Sequence, residues 1–155
     1  AERIFVFAHI LVPDEPIIFK PDGSLQTEEG YYSGEGGDPL NFDYFKKGYT
    51  DQVQFINGRM LPIVDTLIAQ SDRPPVIILM SDHGYYWGTT FHNNFLAMYL
   101  PEGGQGGALP SSNVNIFRFI FNEYFGTDYD YLPDVSYTNH ADRSGFEEVP
   151  IPCQP

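Results

Sequence analysis

Cysteine is all but missing from this chain: one residue, Cys153, in a length of 155. A single thiol cannot close an internal disulfide, and no Cys-rich metal cluster can form, so the redox compartment stays open. Basic residues are scarce as well, 8 Lys and Arg against 21 Asp and Glu, for a net charge of -13. Such a surface repels phosphate backbones, and no Lys/Arg cluster offers counterion release, which argues against nucleic acid as a partner. Acidity fits cation binding and an extracellular setting without establishing either. Long apolar runs are also lacking. No segment approaches the roughly 20 residues of a membrane-spanning helix, and no basic start followed by an apolar stretch marks a signal peptide. There is no G-x-S-x-G elbow, no phosphate-cradling glycine loop, no dinucleotide fingerprint and no internal repeat.

What remains is the material of one soluble domain. The hydrophobic fraction is 42%, and a chain of this size can bury a core. It opens Ala1-Glu2-Arg3 without an initiating Met and enters an apolar run at once, which reads as a fragment whose targeting information has been removed. That run, Ile4 to Val12 (IFVFAHILV), is interrupted only by His9 and predicts a first strand. It ends at Pro13-Asp14-Glu15-Pro16, where prolines stop a ladder. From about Phe19 to Lys47 the residues show no period, as in a long surface excursion. A helix is predicted from about Thr50 to Gln70, with Val53, Ile56, Met60, Ile63, Val64 and Leu67 on one face. Gly58 and Pro62 predict an irregular turn inside it. Val76 to Met80 is a continuous aliphatic run of the kind buried on both faces of a parallel sheet. The order strand, excursion, helix, strand predicts a βαβ unit with a right-handed crossover. Phe95 to Leu100 reads as a further buried strand. Ser112 reads as the N-cap of a helix running to Phe125, with Gly126 just past its end. Ile116, Phe117, Ile120, Phe121 and Tyr124 make its apolar face. The tail beyond Gly126 shows no clear regular element.

Chemistry concentrates at Ser81-Asp82-His83-Gly84, directly after the Val76 run. Ligands of parallel sheets bind beyond the carboxyl ends of the strands. Here that end delivers a carboxylate and an imidazole side by side, then a glycine that lets the backbone turn away. The pair suits a divalent metal such as zinc or manganese. His9, Asp14, Glu15 and His92 belong to the same set of expected strand ends. Neighbouring strands lie about 4.8 Å apart, so such side chains can converge on one ion. Asp82 and His83 are the candidate ligands; Asp14 and Glu15 could act as ligand, general base or outer support. Plainer readings stand beside these. The Asp-His pair can cap a turn, His9 can be a hydrogen-bonded core histidine, and Asp14 and Glu15 can solvate a turn. His92, before Asn93-Asn94, can cap a loop, and His140 lies in a polar tail. Tyr31, Tyr32, Tyr85, Tyr86 and Trp87 can contact a sugar or lipid headgroup, or simply pack loops.

The segments FVFAHILVPDEP, GYTDQVQFINGRMLPIVDTL, PPVIILMSDHG and NNFLAMYLP, in that order, resemble the C-terminal half of sulfatase-like proteins of the alkaline phosphatase superfamily. Membrane-anchored sulfatase-type enzymes and lipoteichoic-acid-synthase-like transferases are the nearest in kind. The resemblance spans roughly residues 4 to 126. It implies an α/β fold, a three-layer α/β/α sandwich with a mostly parallel sheet, of which residues 1–155 form a single, incomplete portion. It also implies a divalent metal (zinc, manganese, magnesium or calcium) on Asp82 and His83, with Asp14, His9 and His92 lining the pocket. The implied substrate is a small-molecule, lipid or glycan ester of sulfate or phosphate. The parent protein would be extracytoplasmic or membrane-associated, and this piece soluble. In the family, the nucleophile and a further acidic ligand lie in an N-terminal half of the same domain, which would be the partner of this piece. One departure stands out: relatives carry His after the proline at the end of the first strand, and here the pair is Pro13-Asp14. Two other readings remain open, a degenerate member kept as a binding or structural module, and an unrelated α/β domain in which Ser-Asp-His-Gly is a turn.

Overall fold

The computed structural model describes residues 4–27, 42–85, 92–101, 109–139 and 144–149. The chain divides into two compact units, Ala1–Gln70 and Ser71–Pro155.

The first unit is one helix and an irregular segment held against it. Residues 4–12 form no strand; Ile4 is 81% exposed and Leu11 71%. The predicted first strand is therefore corrected, and for a physical reason. A strand exists through its ladder, and no described segment pairs with this one. The peptide bonds before Pro13 and Pro16 are cis. Beyond Pro16 the chain folds into a small hairpin within the stretch predicted to lack structure. Phe19 bridges Leu25, and the Gln26 N–H donates to the Ile18 carbonyl at 2.7 Å. Pro21-Asp22-Gly23 makes its turn: proline presets φ, Asp22 accepts from Ser24, and Gly23 takes φ 85°. Helix α1 (Phe42–Gln70, 29 residues) begins earlier than predicted. Its buried positions include Gly48, Asp51 and Gln52, and the Phe55 ring stacks on Phe19 at 4.6 Å. The predicted apolar stripe is only partly covered, since Ile63 and Leu67 are exposed.

The second unit carries the remaining elements. Strand β1 (Ile77–Met80) pairs with β2 (Leu96–Tyr99) in antiparallel register, Ile77 opposite Tyr99 and Met80 opposite Leu96. A second antiparallel pair, β3 (Ser136–Asn139) with β4 (Phe146–Val149), occupies the tail that was predicted to be irregular. The expected three-layer α/β/α sandwich with a mostly parallel sheet is thus contradicted: the described residues form two helices and two small antiparallel pairs. The βαβ crossover goes with it. Parallel neighbours need a crossover, whereas β1 and β2 are joined as an antiparallel ribbon. Neither strand is buried on both faces; β2 alternates half-buried and exposed residues.

Helix α2 (Asn113–Phe125) starts and stops where predicted, with Gly126 in the left-handed region at φ 68°. Its buried side, however, is Asn115, Ile116, Phe119 and Ile120, while Phe117 and Phe121 are exposed. The face is turned by one residue from the prediction because Asn115 is drawn inward. Its side chain donates to the Leu132 carbonyl and accepts from the Leu132 N–H. It also donates to Asp134, which accepts from Ser111 and Ser112 as well. Ser112 therefore occupies the N-cap position with its hydroxyl turned to Asp134 rather than to the helix. No helix among the described residues is long and apolar enough to cross a membrane.

Burial pushes the Asp134 carboxyl up, but the hydrogen bonds from Ser111, Ser112 and Asn115 outweigh it and hold the group below its ordinary range. A carboxyl depressed in the folded state stabilises above its unfolded pKa of about 3.9 and loses that contribution as pH falls through the lower folded value. Asp134→Ala is expected to cost on the order of 1–2 kcal/mol at neutral pH, a penalty that shrinks below pH 4. Urea unfolding at pH 7 and at pH 3 measures both. In α1, a Cβ added at the exposed Gly58 would meet nothing within 4 Å. Gly58→Ala is expected to stabilise the helix by up to about 1 kcal/mol, read as a rise in the thermal midpoint.

Candidate metal centre at the end of β1

The end of β1 is anchored by three hydrogen bonds at Ser81. The Ser81 N–H donates to the Phe95 carbonyl at 2.9 Å, and the Phe95 N–H returns a bond to the Ser81 hydroxyl at 2.7 Å. The Ser81 carbonyl accepts from the Asn113 side chain at 2.8 Å. All three polar groups of Ser81 are thus engaged, and Asp82 leaves the ribbon from a fixed point.

Asp82 Oδ1 accepts the His83 N–H at 3.0 Å, a local bond of the type that short acidic side chains make at chain turns. Its side chain is 87% exposed, against 26% for His83. The His83 Nδ1 lies 2.8 Å from the Gly84 carbonyl oxygen. A carbonyl only accepts, so Nδ1 carries the proton, and in the neutral ring the lone pair sits on Nε2. That is the arrangement of metal-ligating histidines, whose other ring N–H is held by an oxygen. His83 Nε2 stands 3.9 Å from Asp82 Oδ1. Bonds of about 2.0–2.1 Å meeting at a tetrahedral ion place two donors roughly 3.4 Å apart. Rotation of the exposed Asp82 side chain can supply the difference. The donor set is one carboxylate oxygen and one imidazole nitrogen of fixed tautomer, two of the four or more donors a divalent cation takes.

The other predicted residues are placed as follows. His92 is half-buried in the second unit, two residues before Asn94, whose side chain donates to Asn113 at 2.5 Å. Tyr85 is half-buried beside Gly84. His9 and Asp14 belong to the first unit. His9 is exposed on the segment that forms no strand, so its reading as a core histidine is corrected along with that strand. Asp14 closes a turn, its N–H donating to Leu11 O at 2.8 Å, and its side chain is exposed. Burial, then the Asp14 charge, raises the Glu15 carboxyl above its ordinary range; the same two causes raise the Tyr49 hydroxyl. Tyr31, Tyr32, Tyr86, Trp87, His140 and Cys153 lie outside the described residues. Among the described residues no group of three or more His, Cys, Asp and Glu could hold a metal ion. An open groove of 440 Å³ lined by Arg73, Pro74, Tyr99, Pro101 and Tyr124 includes Tyr99, which pairs with Ile77 at the opposite end of β1 from Asp82.

Asn113, and the anchoring role of Ser81, are what sequence reasoning missed at this strand end. Ser81 was in view as part of the motif, but its three bonds depend on Phe95 and Asn113, residues 14 and 32 positions away. Compared with protein-family models, with curated proteins and with solved structures, the chain gives no match.

The tautomer is directly measurable. Nitrogen-15 spectra of the His83 ring at alkaline pH are expected to show a protonated Nδ1 and a bare Nε2; the reverse assignment would remove the case for ligation through Nε2.

Proposed function

We propose that this chain supplies part of the metal site of a sulfatase-type hydrolase or phospho-transferase acting on sulfate or phosphate esters. The motif resemblance motivates the reaction class, and one observation carries the site: the Gly84 carbonyl fixes the His83 proton on Nδ1, next to the exposed Asp82 carboxylate. Asp82 and His83 would hold the ion. A divalent ion there supplies Lewis-acid polarisation of a sulfuryl or phosphoryl oxygen. The chain's own contribution is to present two donors from a strand end held by Ser81, and to keep the His83 proton on Nδ1 through the Gly84 bond.

Ions normally take four to six ligands, and the described residues bring two together. Binding by the 155-residue chain alone is therefore expected to be weak, with a dissociation constant on the order of 0.1–1 mM, the range of the weakest oxygen-ligand modules. Manganese or zinc titration followed on the His83 ring resonances tests this, with Asp82→Asn abolishing the response. The isolated chain is expected to show no turnover of aryl sulfates or aryl phosphates. Turnover that disappears in His83→Ala would overturn that expectation.

A second reading, a non-catalytic binding or structural module, is favoured by Asp14 standing where the resemblance calls for His. A carboxylate cannot take the place of an imidazole toward a substrate anion. It predicts that His83 ring resonances stay unmoved by either metal.

A further inference from the structure

We infer that Asn113 is a positioning residue for the Asp82–His83 pair. The inference rests on the reading that this pair holds a metal. Asn113 is the first residue of α2, and both ends of its amide are in use. Its Nδ2 donates to the Ser81 carbonyl at 2.8 Å, immediately before Asp82. Its Oδ1 accepts from the Asn94 side chain at 2.5 Å, immediately before the Phe95 that pairs with Ser81. One half-buried side chain thus ties the outgoing and returning flanks of the segment that leaves β1 and re-enters β2.

The strand pair alone does not accomplish this. The Ser81–Phe95 bonds set the separation of the flanks, but nothing in an antiparallel ribbon of four residues per strand fixes the angle at which the chain departs from its end. The bond from Asn113 orients the Ser81–Asp82 peptide plane, because its acceptor is the carbonyl of that peptide. The plane's orientation sets where the Asp82 Cα stands, and Asp82 in turn accepts the His83 N–H. Outer partners that orient metal ligands are worth 10–100-fold in metal affinity.

The position allows a substitution that separates this role from helix stability. Asn113→Asp keeps the acceptor for Asn94 and puts a negative charge in the first turn of α2, where the helix dipole favours it. It replaces the donor to Ser81 with an oxygen facing a carbonyl. A merely helix-capping residue would be preserved or improved by this change, and added negative charge alone would strengthen cation binding. The positioning role predicts the opposite: manganese affinity read at His83 falls about tenfold, while helical circular dichroism holds. Asn113→Ala, which adds no charge, is expected to weaken binding similarly with some loss of stability. Affinities of both variants within twofold of wild type would overturn the inference. The underlying reading fails separately, if wild-type His83 shows no saturable response to manganese. In that event the tautomer decides for Asn113: loss of the Nδ1–H signature in Asn113→Asp upholds its hold on the turn, and an unchanged signature ends it.

Discussion

Backbone groups outside helices and sheets still need hydrogen-bond partners, and in this chain amide side chains borne on helices provide them. Gln52, fully buried on α1, accepts from the N–H groups of Ile18 and Phe19 and donates to the carbonyls of Pro13 and Asp14. Asn115 on α2 bonds both the N–H and the carbonyl of Leu132. Asn122 does the same for Tyr129. In the last two pairs the amide meets a residue as a neighbouring strand would, offering one donor and one acceptor to the same residue. Segments too irregular to form a ladder are thereby held without one. A buried amide is costly when any of its bonds is missing, so each such residue tolerates little variation in the segment it serves.

The candidate site obeys the same rule. Asn113 bonds the Ser81 carbonyl as Asn115 bonds the Leu132 carbonyl, and Asp82 and His83 follow directly on that tie. The dipeptide needs little beyond this. Its carboxylate is tied by the next N–H and its imidazole by the carbonyl that follows. Local bonds set the tautomer, and one longer-range bond sets the direction.

Much of the second unit was legible because its signals are local. Ser112 and Gly126 bracket α2 through their own backbone preferences. Strand direction was not legible. An aliphatic run such as Ile77–Met80 reads alike in parallel and antiparallel pairing, and only its partner decides. The Ile4–Val12 run misled for the same reason, since apolar character permits a strand but the ladder makes one. The α2 face was misplaced by one residue because Asn115 counts as polar in any pattern, although its bonds to Leu132 and Asp134 bring it inside. The turn at Pro21-Asp22-Gly23 carries a local signal of its own, but it sits inside a stretch without periodicity. Gln52 could not be recognised as a tie, because its four partners lie 33 to 39 residues away.

Reliance on amides also makes the architecture chemically perishable. Asparagine and glutamine are among the thermolabile side chains, and hydrolysis of an amide turns its donor into an anionic acceptor. At Asn115 that change would set a second carboxylate against Asp134, and at Gln52 one against two main-chain carbonyls. Each event would also add to a net charge already at -13. Ageing would then loosen this protein at its ties, leaving every peptide bond intact.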